Sequence, residues 1–301
     1  MNISLQQLQI FQLVAQLGSL TKAAEAMRIT QPAVSMQLKS FQEQFSEPLL
    51  ETRGKRIYLT HYGQKVLHQT EATLESFRKI YYLEQEKKGQ LIGQLKVAVV
   101  STGKYIMPYY LSAFLEENPG VELRMMVTNR ADVIEKIKNN EVDFGLISLD
   151  QKGLKLERIE LMENLLYLVS NKVWKDNKKL SRNQLKELRL IYREEGSGTR
   201  LTLEKFMQTN KLNIPQKLEL SSNEAVKQAV IAGLGYSVMP LIGIRNELKS
   251  KSLHIVPVQG FPIRSRWQLV RSSSKPHSAV SKAFRNYLIK NKEAISKKWF
   301  N

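Results

Sequence analysis

The chain has 301 residues, 42% of them hydrophobic and 25% charged, with a net charge of +18 and no cysteine. That length supports two or three domains with cores of their own, and the composition is that of a folded soluble protein. Lack of cysteine excludes disulfides, thiol catalysis, thiol redox sensing and cysteine-ligated zinc, and it suits a reducing, cytoplasmic setting. No apolar run is long enough to span a bilayer, and residues 1–6 lack the basic-then-apolar pattern of a secretory signal, so no membrane partner is expected. The positive charge predicts a polyanionic partner. Its distribution is uneven, however: residues 1–59 carry +2 and residues 60–89 carry +1, leaving +15 for residues 90–301.

In chain order, Leu5, Leu8, Phe11, Val14, Ala15 and Leu17 mark a first amphipathic helix that stops at Gly18. Leu20, Ala23, Ala24 and Met27 are spaced as one face of a second helix, whose small alanine pair allows a close neighbour. Thr30 reads as the N-cap of a third, with Gln31 and Pro32 in its first turn and Val34, Leu38, Phe41 and Phe45 as its apolar stripe. Opposite that stripe lie Pro32, Met36, Lys39 and Glu43, with Ser35 beside them. A short, mostly uncharged exposed face at a helix N-terminus suits the DNA major groove. Ser35 can bond a base edge or a phosphate, Met36 can pack on a thymine methyl, and Thr30 and Gln31 can hold phosphates. Arg53, Lys55 and Arg56 then form a basic turn between two short strand-like segments, a wing for the DNA backbone or a minor groove.

These segments resemble the LysR-type transcriptional regulators. The matching string runs Leu17-Gly18-Ser19-Leu20-Thr21-Lys22-Ala23-Ala24-Glu25-Ala26-Met27, then Thr30-Gln31-Pro32-Ala33-Val34-Ser35-Met36-Gln37-Leu38-Lys39, and closes on residues 47–60 with the wing. Thr30 stands where the family usually has serine, and Phe41 and Gln42 replace its common Leu-Glu pair. From His61 to Lys88 the chain has no proline, and Val66, Thr70, Thr73, Phe77 and Ile80 alternate steps of four and three, flanked by Leu67, Leu74 and Tyr81. So long a stripe calls for a helical partner. The resemblance implies that this helix, residues 61–89, pairs two copies, which present two reading heads to two half-sites. Gly89 to Gly93 is the expected hinge into the next domain.

From Leu91 onward, strand-like and helix-like segments alternate, as an α/β domain requires. Residues 94–100, 121–127 and 142–147 read as strands that end on Ser101 and Thr102, on Thr128 and Asn129, and on Ser148. Polar groups at the carboxyl ends of parallel strands are where ligands bind in open α/β sheets. A second set follows residues 191–193: Ser197, Thr199 and Arg200 in a Gly-Ser-Gly-Thr-Arg loop that lacks the spacing of a Walker motif. Its amides, hydroxyls and Arg200 can converge on one anion. Together with the Ser-Asn-Glu-Ala-Val-Lys-Gln-Ala-Val string at residues 222–230, this loop is similar to the branch that regulates carbon fixation and inorganic sulfur or nitrogen assimilation.

The expected architecture is therefore an all-α winged helix-turn-helix head (residues 1–60), a dimerisation helix (61–89), and an α/β two-lobed effector domain like the periplasmic binding proteins (90–301). The resemblance to the LysR-type effector domain implies a first lobe over about 91–168 and 270–301 and a second over about 169–269, with crossovers near Val169 and Val270 acting as a hinge. The expected partners are double-stranded DNA, a small anionic effector, further copies of the chain as a dimer of dimers, and RNA polymerase. No cofactor, metal or catalysis is expected, since His61, His68, His254 and His277 form no ligand-spaced pair. Two alternatives are a DNA-binding protein without a ligand and a solute-binding protein of the same two-lobed fold.

Overall fold

The computed structural model describes all residues except Met1, Lys55, Lys88, Gly89, Lys152, Asp176, Asn177, 214–217 and Asn301, and except the side chains of Lys79, Tyr81 and residues 83–87. It divides into two units, residues 1–90 and 91–301.

In the first unit, α1 (Leu5–Leu17), α2 (Leu20–Met27) and α3 (Gln31–Gln42) each start where a hydroxyl side chain takes up a free backbone N–H, at Ser4, Ser19 and Thr30. Ser4 and Gln7 close a reciprocal capping box. Gly18 ends α1 in the left-handed region at φ 64, as glycine can without strain. The buried stripe of α1 is Gln7, Ile10, Phe11 and Val14, whereas Leu17 is exposed. Ala23 and Ala24 let α2 approach closely, and Phe11 meets Phe41 with ring centroids 5.1 Å apart. Phe45 lies past the end of α3 and packs edge-on against Phe41 and Tyr62.

A hairpin of β1 (Leu50–Arg53) and β2 (Arg56–Leu59) forms the wing, with Arg53 opposite Arg56. The 27 residues of α4 (His61–Lys87) make a rod about 40 Å long. Its first half packs on the head, where Thr70 and Leu74 are buried, while Phe77 and Ile80 stand 52% and 66% exposed.

The second unit is built on a seven-stranded sheet. Its order is β10 (His254–Val256), β6 (Leu156–Ser170), β11 (Ile263–Ser272), β5 (Phe144–Ile147), β3 (Gly93–Val100) and β4 (Val121–Thr128), with β9 (Ser237–Pro240) also paired to β6. Around β3–β5, helices α5 (Met107–Glu117), α6 (Arg130–Lys138) and α10 (Ala279–Trp299) close one core. The other lobe adds the parallel pair β7 (Ile191–Arg193) and β8 (Leu218–Leu220), with α7 (Gly198–Thr209), α8 (Asn223–Ile231) and α9 (Arg245–Lys249).

The lobes exchange strands at places other than those expected. β6 and β11 pair along both lobes, with one register shift between Trp267 and Gln268. Leu161 and Met162 still belong to the first core, but Leu166 and Leu168 belong to the second. On β11, Ile263 packs in the second core and Trp267 in the first. The crossovers thus fall near residues 163–165 and 264–266, not near Val169 and Val270, which sit inside the second and first cores respectively. At the crossing, buried Asn164 donates Nδ2–H to Ser265 Oγ (3.0 Å) across the strands.

A third connection is a short segment of the second lobe. Ile242 packs on the first core and Ile244 is fully buried in the second. Arg245 Nη2 donates to the Phe300 carbonyl (2.5 Å), just past α10.

Candidate functional site

On the head, Gln31, Pro32, Met36 and Lys39 are exposed along one side of α3, with Ser35 half-buried. Met36 stands 65% exposed, an unusual position for a thioether unless it meets a partner surface. The Thr30 hydroxyl accepts from Ala33 N (3.4 Å), so it is spent as a cap while its position marks the start of the exposed face. On the wing, Arg53 pairs with Glu51 at 2.7 Å, and the guanidinium carbons of Arg53 and Arg56 lie 5.8 and 5.6 Å from the Tyr58 ring centroid. Lys55 lies outside the described residues. The predicted reading face of α3 and the two described wing arginines are therefore all at the surface of one unit.

Between the lobes of the second unit lies a narrow polar recess with a cavity volume of about 10 Å³. Its wall includes six of the predicted residues: Ser101, Thr102, Asn129, Ser148, Ser197 and Thr199. Helix geometry explains why they meet. Asn129 caps α6, Ser197 is the N-cap residue of α7, and buried Asn223 opens α8. Three helix N-termini from two lobes therefore border one space, and the positive ends of their dipoles make it an environment for an anion. The Ser197 hydroxyl makes no capping bond to its own helix, unlike Asn129.

Two predicted residues do not join this wall. Thr128 turns its hydroxyl to Asp132 (2.5 Å) on the first turn of α6. Arg200 is directed along α7: its Nε donates to Glu204 (2.7 Å) and its Nη1 to Glu219 (2.7 Å). The physical reason is the start of α7 at Gly198, within the Gly-Ser-Gly-Thr-Arg stretch expected as a loop. That start makes Arg200 a helical residue with an i,i+4 acidic neighbour, and the pair holds its pKa above the usual arginine value.

The cations on the wall are instead Arg130 and Arg193. Arg193 ends β7 and is 4% exposed. Its Nε and Nη2 both donate to Glu194 (2.7 Å each), and Nη2 also reaches across the lobes to Ser101 Oγ (3.1 Å). A second bridge between the lobes runs from Ala131 N to the Gly196 carbonyl (3.2 Å). Arg130 Nη2 donates to the Asp150 carbonyl and to Gln151 (2.9 Å each), while its Nε is buried without a hydrogen-bond partner. Burial lowers its pKa from the usual arginine value, against the charge of Asp150, and the side chain remains a cation. Arg193 closes β7 and Arg130 follows the end of β4, the signal that picked out their hydroxyl neighbours. Asn223 carried no such signal, because only the packing of α8 brings it to the cleft.

No helix among the described residues is long and apolar enough to cross a membrane. The first unit matches the family model for bacterial regulatory helix-turn-helix proteins of the lysR family over residues 5–64, and the LysR substrate binding domain matches residues 88–292. The transcriptional activator CmpR of a Synechocystis species is 35% identical over 297 residues, 98% of each chain. A RuBisCO operon transcriptional regulator of Allochromatium vinosum is 35% identical over 291 residues, 96% of each. Among solved structures, the regulatory domain of CcmR from Synechocystis, in complex with 2-phosphoglycolate (2-PG), is 30% identical with a TM-score of 0.63 and covers 67% of this chain and 98% of that one. Full-length CbnR bound to its target DNA shares the fold at 18% identity and a TM-score of 0.72, covering 96% of this chain and 99% of that one.

Proposed function

The chain belongs to the LysR family of bacterial transcriptional regulators, in its carbon-fixation branch, and from that premise we propose that it senses a small phosphorylated carboxylate such as 2-phosphoglycolate. The observation that carries this reading is the convergence of three helix N-termini and two arginines on one recess. Ser101, Thr102, Asn129, Arg130, Ser148, Arg193, Ser197, Thr199 and Asn223 hold the anion. The complexed relative supports the ligand class.

At the other end, Gln31, Pro32, Ser35, Met36 and Lys39 read bases while Thr30, Arg53, Lys55 and Arg56 position the head on the backbone. The exposed Phe77 and Ile80 of α4 pair with a second copy, and two such dimers assemble on DNA. Effector binding alters the angle between lobes in each sensor, the spacing of heads across the assembly, and so DNA bending and the approach of RNA polymerase. The protein acts in the cytoplasm, as a regulator and not as an enzyme.

Two measurements test the two ends separately. With the operator as probe, replacing Ser35 and Met36 by alanine should narrow the gap between specific and non-specific binding by about 1–3 kcal/mol. Arg56→Ala should weaken both equally and reduce the salt slope by about one. Variants that leave both quantities unchanged would show that the head reads DNA through other residues. For the sensor, 2-phosphoglycolate should raise the melting temperature of the wild type, and Thr102→Val should remove most of that rise while operator binding without ligand stays as before. A full rise in Thr102→Val would move the site out of the cleft.

A further inference from the structure

Glu194, next to the recess wall, supplies Arg193 with an anion of the chain's own. Its two carboxylate oxygens accept from Nε and Nη2 of Arg193, the paired edge with which a guanidinium chelates an external carboxylate or phosphate. Arg193 lines the recess and is 4% exposed, so its charge is otherwise shielded from solvent. The adjacent Glu195 is exposed and has the same formal charge.

We propose that Glu194 is a built-in competitor of the effector, which neutralises Arg193 in the empty cleft and sets a charge threshold for what can bind there. This rests on the cleft being the effector site. An incoming monocarboxylate only exchanges one single negative charge for another, and it competes against a group tethered next to its partner at high effective concentration. A phosphate brings a charge of about −1.5 to −2 and three acceptor oxygens, and so takes the guanidinium edge from Glu194. Glu194 thereby selects phosphate over carboxylate. Displacing it also redirects the Nη2 that bridges the lobes to Ser101, which links anion identity to lobe position.

The test is calorimetric titration of the full-length protein with 2-phosphoglycolate, with glycolate and with inorganic sulfate, in wild type, Glu194→Gln, Glu195→Gln and Thr102→Val. Glu194→Gln should bind 2-phosphoglycolate about tenfold more tightly, since the carboxylate that occupies the Arg193 guanidinium edge is removed. Glycolate should gain by a larger factor, so that preference for the phosphate narrows. Glu195→Gln, with the same change in net charge, should stay within about twofold of wild type. If Glu194→Gln gains no affinity for any of the three anions, or gains no more than Glu195→Gln, Glu194 is not a competitor. If that happens while Thr102→Val still weakens binding, the cleft remains the site and only the role of Glu194 fails. Binding that ignores Thr102→Val removes the cleft assignment, and this proposal with it. Glu194→Asp guards against misfolding: it keeps the charge but shortens the reach, and should fall between wild type and Glu194→Gln.

Discussion

Replacing Gly63 by alanine should destabilise the DNA-binding head by about 2–4 kcal/mol, measured by chemical denaturation, although alanine is the better helix former by about 1 kcal/mol. A Cβ at this position would lie 1.9 Å from the carbonyl oxygen of Leu49 and 2.8 Å from its carbonyl carbon. The obstacle is backbone, so no side chain can turn aside. Leu49 is fully buried in the head's core, and its carbonyl accepts from Thr60 N (3.0 Å). The Thr60 hydroxyl in turn donates to Pro48 O (2.7 Å) and accepts from Gly63 N (2.9 Å). Moving α4 outward to admit a methyl group breaks this knot and leaves polar groups unpaired, which adds to the steric cost. Gly54→Ala provides the contrast. Gly54, unlike the helical Gly63, has a positive φ of 62, but nothing lies within 4 Å of its added Cβ, so only the left-handed strain of about 1 kcal/mol is expected. Equal effects at the two positions would mean that the helix yields more easily than its contacts imply.

Arg193→Ala should affect stability and ligand binding together. Truncation leaves the Glu194 carboxylate, 16% exposed, without its bidentate partner, and Ser101 without its donor across the lobes. Breaking a buried pair from one side costs about 3–5 kcal/mol. Water can reach Glu194, so we expect the lower part of that range, read by thermal or denaturant unfolding of the sensor. Affinity for a phosphate ligand should fall about a hundredfold, through loss of a charge-assisted donor. The double variant Arg193→Ala with Glu194→Ala should recover part of the stability, because no unpaired charge remains, but none of the affinity. If the two substitutions are simply additive in stability, the pair contributes little and Arg193 is held by its backbone surroundings.

The head was legible because its determinants are local. The Thr30 cap, the Gly18 stop, the Ala23-Ala24 pair, the proline in the first turn of α3 and the basic wing each act within a few residues, and each is where the sequence predicts, whereas the Ser4 and Ser19 caps were not singled out. Ile10 was less visible, because the exposed Leu17 competed with it for the apolar stripe of α1. In the sensor, most hydroxyls of the cleft were legible from one rule about strand ends. Arg200 was misplaced because a helix that begins within the expected loop redirects its side chain to a helical neighbour. The long strands β6 and β11 were hidden for another reason. Glu157, Glu160 and Glu163 interrupt the apolar pattern of β6, and their charges are answered by Arg271, Arg266 and Arg264 on a strand about a hundred residues away, with Arg285 of α10 also near Glu157. Such pairing has no trace in local periodicity.

The segment from Ile242 to Arg245 changes what kind of machine the sensor is. Two neighbouring strands on their own would act as a strip hinge, about which the lobes could swing widely. A third tether, anchored by an isoleucine in each core and fastened to Phe300 beyond α10, follows directly on β9, whose Pro240 pairs with Leu166 of β6. It widens the strip by one more line of attachment and ties it to α10. A broader strip permits smaller swings than two strands alone, so a ligand in the proposed site would act through short, stiff displacements, more strain gauge than closing jaw.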